Sequence, residues 1–356
     1  MAGVFDLADD FVIGIDLGAT VVRAGAFSPT GRLLASEQLE IRAELGAAAG
    51  LARISSLVET LIKETGAGAV GGQRLRGIGV GATGPTDSAR GLLINPGTLP
   101  EWLNVPVVEF LQSGFGVPVC LDNDADAAAL GEFWQGAAAR QPGLPAVSRL
   151  YAITVGTGIG TAFIVDGQVY RGAGGYHPEG GHQIVDPAGP ACYCGANGCW
   201  ESLSSGTAIG RAAREAILQP SASPPQSAEN LLALAGGELA RVDARLTAEA
   251  ARQGDPLACA VIARAAGAFS LGVVNILMLF FPEMIVLSGG VMRSLDLFMP
   301  ALQQALDSAG RYIPAGQVSI QSARLSYYAG IYGAAYAILT HIGFPTVVDP
   351  EKQPSD

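Results

Sequence analysis

The chain has 356 residues, 49% hydrophobic and 15% charged, which is the composition of a globular protein long enough for two domains and not of a disordered segment. Its net charge of -11 argues against a nucleic-acid surface, because phosphates require a basic face. The opening MAGVFDLADDFVIGID has no basic stretch leading into a long apolar core, so no signal peptide is read there and the cytoplasm is the expected compartment.

In chain order, FVIGIDL (11–17), VVRAGAF (21–27) and GRLLASEQL (31–39) are short apolar runs separated by turn residues, which predicts consecutive antiparallel strands. Helical spacing follows over 47–65, with Leu51, Ile54, Leu57, Val58, Leu61 and Ile62 on one face. RLRGIGVGATGP (74–85) reads as a strand entering a glycine/proline turn, and VPVCLDNDADAAALGEFW (117–134) as a strand running into a helix. A second antiparallel set is expected over 149–172, and another strand ending in glycines at 284–292. The β-β-β-α-β-α pattern thus starts twice, near 11 and near 150, without a close sequence repeat. The apolar run 265–281 approaches the roughly 20 residues of a membrane span, but Asn275 lies inside it and Pro282 and Glu283 close it. A buried helix is expected there, with no membrane partner. LQPSASPPQSAEN (218–230) reads as a surface loop between helices.

Glycine-rich turns follow strands at DLGAT (16–20), GTGIG (156–160) and SGG (288–290). Such turns bare backbone N–H groups that can cradle phosphate oxygens. Each alone is an ordinary tight turn, and none matches a P-loop or a GxGxxG helix start. As a set, with Asp16 closing a strand and Thr20 and Thr157 offering hydroxyls, they point to phosphate.

The densest chemistry lies in HQIVDPAGPACYCGANGCWE, residues 182–201. His182, Cys192, Cys194 and Cys199 supply four ligands of the type zinc prefers, and Gly195 and Gly198 allow tight turns between them. Four protein ligands close a tetrahedron, so the expected role is a structural zinc staple. In the cytoplasm clustered thiols favour metal over disulfide. Cys120 and Cys259, alone among apolar neighbours, are expected to be small core residues. Glu179 and Glu201 flank the cluster and could accept hydrogen bonds from the vicinal hydroxyls of a sugar, or simply be solvated.

These residues carry a resemblance. GIDLGAT with Arg23, GVGATGP, LDNDADAAALGE, TVGTGIGTAFIVDG, HPEGGH with CYCGANGCWE, and PEMIVLSGGV occur in the order of the ROK family of repressors and sugar kinases, over about residues 11–340. The resemblance implies an actin-like ATPase (ribonuclease H-like) α/β fold, with two α/β domains around a cleft that holds ATP and a sugar. On this basis a smaller domain is expected at 1–122 plus about 325–356, and a larger one at 123–324. By position, Asp124 matches the family's catalytic base, and Asn123, Glu179, His182 and Glu201 its sugar-binding residues, with Thr98 and Gly84 on the same side. His182, Cys192, Cys194 and Cys199 match its zinc ligands. Asp16, Gly18, Thr20, Thr157 and Gly158 match the region of phosphate and Mg2+, and Gly289 and Gly290 the adenosine turn.

The chain departs from the family's usual pattern at several places. Ala19 and Val21 stand where GGTK is common, Asp126 where NDAN is usual, Thr98 where many family sugar kinases carry Asn, and Ser288 where glycine is common. His177-Pro178-Glu179 follows a less common HPE form. The resemblance implies an ATP-dependent hexose kinase, most simply a glucokinase, with hexose and ATP as partners, and a homo-oligomer, dimer or tetramer. N-acetylmannosamine, N-acetylglucosamine or fructose are alternative substrates, and a non-catalytic sugar-sensing protein is the alternative class. The family's regulators carry a helix-turn-helix domain ahead of the kinase-like part, and here the first phosphate turn already stands at Asp16 in an acidic chain.

Overall fold

The computed structural model describes residues 10–66, 74–141, 146–218, 228–312 and 314–344. The chain opens with antiparallel strands β1 (Asp10–Leu17), β2 (Val21–Phe27) and β3 (Leu33–Glu40), followed by helix α1 (Ala47–Glu64). Next come β4 (Arg74–Ala82), the short β5 (Thr86–Asp87) and β6 (Leu92–Leu93), α2 (Val107–Phe115), β7 (Val119–Asn123) and α3 (Asp124–Trp134). The pattern then restarts with β8 (Arg149–Val155), β9 (Ile159–Val165) and β10 (Gln168–Val169). Helices α4 (Trp200–Ser204), α5 (Gly206–Leu218), α6 (Glu229–Leu234), α7 (Ala244–Arg252) and α8 (Pro256–Phe280) follow. The described chain closes with β11 (Met284–Ser288), α9 (Leu295–Ala309), β12 (Ser319–Ser322) and α10 (Ala329–His341).

Among the described residues two five-stranded sheets form, ordered β3-β2-β1-β4-β7 and β10-β9-β8-β11-β12, and β5 pairs with β6. In the first, β1, β4 and β7 run parallel; in the second, β8, β11 and β12 do. The plan that starts twice in the sequence is therefore one strand order built twice.

The chain divides into two compact units, one of residues 1–148, 163–177 and 323–356, the other of 149–162 and 178–322. The first unit extends past the expected limit at 122 because α3 packs on α10. A Cβ at Gly333 of α10 would sit 1.5 Å from the carbonyl oxygen of Ala127 in α3. Buried Glu132 of α3 accepts the backbone N–H groups of Ala137, Arg324 and Leu325 at 2.8, 3.0 and 2.8 Å. On its sheet side α10 lies against Gly14 and Gly79, where a Cβ would come within 2.0 Å of Ile331 O and 1.8 Å of Ala334 O. One face of this sheet buries Phe11, Ile13, Ile15, Ile54, Leu61 and Trp102, and the other packs Val12 and Phe27 on Ile331, Ile338 and Leu339.

The apolar run expected to be a buried helix lies in α8, which is long and apolar enough to cross a membrane by length and composition. Its inner face is core: Phe269 stacks on Trp200 with ring centroids 5.6 Å apart and meets Phe298 edge-on. Cys259 departs from expectation. It is exposed on α8, because its position falls outside the buried stripe of Leu257, Ala258 and Ile262, and its thiol points to Ala251 O at 3.4 Å. Cys120 is half-buried. Residues 219–227 of the expected loop at 218–230 lie outside the described residues, and the range ends inside α6.

Candidate active site

Ligands of open α/β sheets bind beyond the carboxyl ends of parallel strands. In the first unit those ends are level: Leu17 pairs with Ala82, and Ala82 with Asn123. Asp16 and the turn Gly18-Ala19-Thr20 leave β1, Thr83-Gly84-Pro85 leaves β4 through a cis Gly84–Pro85 bond, and Asp124 leaves β7. Thr98 joins this edge through a hydroxyl–hydroxyl contact of 2.9 Å with Thr83. The structure thus gathers Asp16, Gly18, Thr20, Gly84, Thr98, Asn123 and Asp124 at one sheet edge.

Asn123 caps α3: its Oδ1 accepts the N–H of Ala125 at 2.8 Å, and Asp124 Oδ1 accepts the same N–H at 2.8 Å. Asn123 is buried, and its Nδ2 lies so near Gly84 that a Cβ there would be 2.9 Å away. The helix therefore has its cap without Asp126, and Asp124 keeps its second oxygen for other work. Asp124 reaches solvent, yet the protein around it displaces water. This desolvation first, and the Asp16 carboxylate second, push its pKa up to about 6, against the lowering effects of the Ala125 N–H and of His177. Asp16 is itself raised by burial, and Arg23, whose Nη1 donates to Asp16 Oδ2 at 3.3 Å, limits the rise.

In the second unit the same strand ends carry the other two glycine turns. Thr154 of β8 faces Ser288 of β11 in register, and their hydroxyls lie 2.7 Å apart. The turn Gly156-Thr157-Gly158 is closed by a Gly156 N–H to Gly158 O bond of 2.9 Å, and Thr157 stays exposed. Gly289, with φ 94°, lies so close to Val155 that a Cβ would be 2.4 Å from its carbonyl oxygen, so only glycine fits; Gly290 follows, exposed. Glu201 Oε2 accepts the N–H of Ile159 at 2.7 Å, which seats the start of α4 on this turn. Glu179 is exposed, and the adjoining Gly180 N–H donates to Thr161 Oγ1 at 3.2 Å.

His182, Cys192, Cys194 and Cys199 converge as their spacing predicts, with one donor atom from each and all four within 4.8 Å of one another. His182 Nδ1 lies 3.5 Å from Cys192 Sγ, and Cys194 Sγ lies 3.5 Å from Cys199 Sγ. Backbone pairing makes this possible: Ile184 bridges Cys199 and Ala191 bridges Asn197. Gly198, at φ 67°, takes a position where a Cβ would be 1.5 Å from Asp186 O. Burial first, and then its sulfur neighbours, push the Cys199 thiol up to about 12. Thiolates crowded in this way repel one another unless a cation sits among them, and a Cys3His donor set fits zinc.

One cluster was not anticipated. Arg171 donates to both Asp122 and Asp126, and His177 Nδ1 lies 3.0 Å from Asp126. The acidic run Asp122-Asp124-Asp126 was a legible signal that a cation must come from elsewhere in the chain.

A family model described as the ROK family matches residues 12–341. A glucokinase of Thermotoga maritima is 32% identical over 336 residues, 93% of this chain and 98% of that protein. A xylose repressor of Caldicellulosiruptor bescii is 27% identical, covering 94% of this chain and 79% of the repressor. Among solved structures, a ROK family glucokinase from Streptomyces griseus in complex with glucose and AMPPNP is 29% identical with a TM-score of 0.69, covering 91% of this chain and 98% of that one.

Proposed function

Because this chain belongs to the ROK family and has its actin-like ATPase fold, we propose that it is an ATP-dependent hexose kinase, acting most simply on glucose to give glucose 6-phosphate in the cytoplasm. The observation that carries this reading is Asp124. It sits at a rigid strand–helix junction with one oxygen uncommitted and a pKa of about 6, so it is ionised, and still basic, at neutral pH.

In this reading Asp124 accepts the proton of a sugar hydroxyl while that oxygen bonds to the γ-phosphorus and the bond from the γ-phosphorus to the ADP oxygen breaks. The proton rests on the Asp124 carboxyl and leaves to solvent after the phosphorylated sugar departs. Asn123, Gly84, Thr98, Glu179, His182 and Glu201 orient the sugar, an assignment supported by their match to the family's pattern. Thr157 and Gly158, and likewise Gly18 and Thr20, are assigned to phosphate oxygens, and Gly289-Gly290 to adenosine, by their match to the family's pattern. The Asp16 carboxylate raises the proton affinity of Asp124, and such a pair suits an oxygen-seeking Mg2+ on the side of Asp16. That ion, bound with ATP, supplies neutralisation of the charge that develops on the phosphates. Zinc in the Cys3His cluster has no chemical step; it stiffens the segment that carries His182 and Glu201.

A coupled assay of ADP release across a hexose and N-acetylhexosamine panel tests the reading. ADP formed with glucose supports it in full, and ADP formed only with another sugar keeps the kinase and changes the substrate. Sugar binding with no ADP release in the presence of Mg2+ would overturn it in favour of a sugar sensor.

A further inference from the structure

Asp126 is fully enclosed, with none of its surface reaching solvent, although its neighbour Asp124 two residues earlier is exposed. Arg171 donates Nη1 to Asp126 and Nη2 to Asp122, the latter at 2.6 Å. His177 Nδ1 lies 3.0 Å from both oxygens of Asp126. One buried carboxylate therefore holds both ends of the segment 171–177, RGAGGYH. Between those ends Gly174 and Gly175 take φ of 68° and 81°, and the backbone bonds are internal, Gly172 N–H to Tyr176 O and Gly175 N–H to Gly172 O. A glycine segment has little stiffness of its own, so its exit direction is set by its side-chain anchors.

The two ends of this arrangement lead to different parts of the reaction. Asp126 stands on the first turn of α3 with Asp124. His177 stands two residues before Glu179 in the chain. We propose that Asp126 and His177, backed by Arg171, are positioning residues that fix the segment 171–177, from which the chain runs on to Glu179, against the first turn of α3 that carries Asp124. The chemistry of this proposal rests on the kinase reading above, while its geometry does not. It also gives a reason for Asp126 where the family usually carries Asn: only a carboxylate satisfies a guanidinium and an imidazole together at full burial.

Charge reaches Asp124 from several elements. Asp16 of β1, itself paired with Arg23 of β2, and Asp126 of α3 raise its proton affinity, and His177 lowers it. Asp122 and Arg171 stand behind Asp126, and His341 of α10 acts on Asp122. Removing one charge of the Asp126–His177 pair without removing its hydrogen-bonding shape therefore moves the base in a defined direction.

The test uses His177→Ala, His177→Asn, Asp126→Ala and Asp126→Asn in the full chain, with kcat and KM for glucose and ATP across pH and glucose Kd by calorimetry. The two alanine variants are expected to raise glucose KM and Kd about tenfold or more while ATP KM stays within about twofold. Asp126→Asn, which keeps the side chain's size and a single acceptor oxygen, is expected to lose less glucose affinity than Asp126→Ala and to move the acid limb of kcat/KM to lower pH. His177→Asn is expected to move that limb to higher pH. Equal loss in both substrates together with a lowered Tm, or acid limbs that do not move, overturns the proposal in favour of an ion pair that only stabilises. A parent that binds glucose without turning it over fails the kinase reading alone, and glucose Kd in the alanine variants then decides the positioning claim. A parent that binds no glucose overturns both.

Discussion

The carboxylate of Glu201 accepts the backbone N–H of Ile159 at 2.7 Å, and so fastens the helix that follows the Cys/His cluster to the turn Gly156-Thr157-Gly158. A Cβ at Gly158 would lie 2.3 Å from Glu201 Oε2, so the contact leaves no spare room. Glu201→Gln preserves an acceptor at this position and Glu201→Ala does not. Glu201→Ala is therefore expected to weaken both glucose and ATP, by about tenfold each, and Glu201→Gln to weaken glucose more than ATP. Steady-state KM values for the two substrates check this; an ATP KM unchanged in Glu201→Ala means the tether does not shape the turn.

Asp124→Asn keeps the size of the side chain and its acceptor for the Ala125 N–H, and removes only the basic carboxylate. The variant is expected to bind glucose and ATP while kcat falls roughly 10²- to 10⁴-fold. Loss of a cap alone would cost about 1 kcal/mol of stability and leave turnover intact. Near-parental kcat in Asp124→Asn removes the base from the mechanism.

The same residue sets two pH dependences. Its pKa rises from 3.8 to about 6 on folding, so the folded protein holds a proton between those values that the unfolded chain has shed. Stability from this group is greatest at acid pH and is lost as pH rises from about 4 through about 6. At neutral pH the ionised carboxylate costs stability, and Asp124→Asn should melt at or above the parent at pH 7, with a smaller gap at pH 5. Activity runs the other way: a protonated base accepts nothing, so kcat/KM should rise with pH and level off above about 6. Melting curves and rate profiles on the same preparations separate the two effects; an Asp124→Asn variant that melts lower than the parent at pH 7 contradicts the assigned shift.

Metal content tests the Cys3His cluster directly. The purified protein is expected to hold about one zinc per chain, and Cys194→Ser to lose it and melt roughly 5–10 °C lower. Fully folded protein without metal, with an unchanged Tm after chelation, would remove the staple.

Features carried by neighbouring residues were readable in the amino-acid sequence. The strand-to-helix junction at Asn123-Asp124 and the ligand spacing from His182 to Cys199 each lie within one short segment, where periodicity and turn residues report directly on geometry. What escaped depends on contacts between distant segments. Glu132 meets Leu325 across 193 positions, and Arg171 meets Asp122 across 49. Nothing in the local pattern of either residue names its partner. The domain limit was missed for the same reason: α3 follows β7 smoothly in sequence, and only its packing on α10 shows where it belongs. Cys259 was misplaced because an apolar helix sequence conceals which of its stripes faces outward.

The close seat of α10 against Gly14 and Gly79 has a consequence for how the protein is made. A ribosome delivers β1, β4 and α3 long before it delivers α10, and residues 149–322 must be synthesised in between, a delay of roughly ten to thirty seconds at ordinary translation rates. Throughout that interval Val12 and Phe27 have no partner in Ile331, Ile338 and Leu339, and a bare apolar sheet face waits on the nascent chain. The second unit is therefore the one able to finish folding first, although its residues are made later, and the waiting face is where a chaperone would find its handhold.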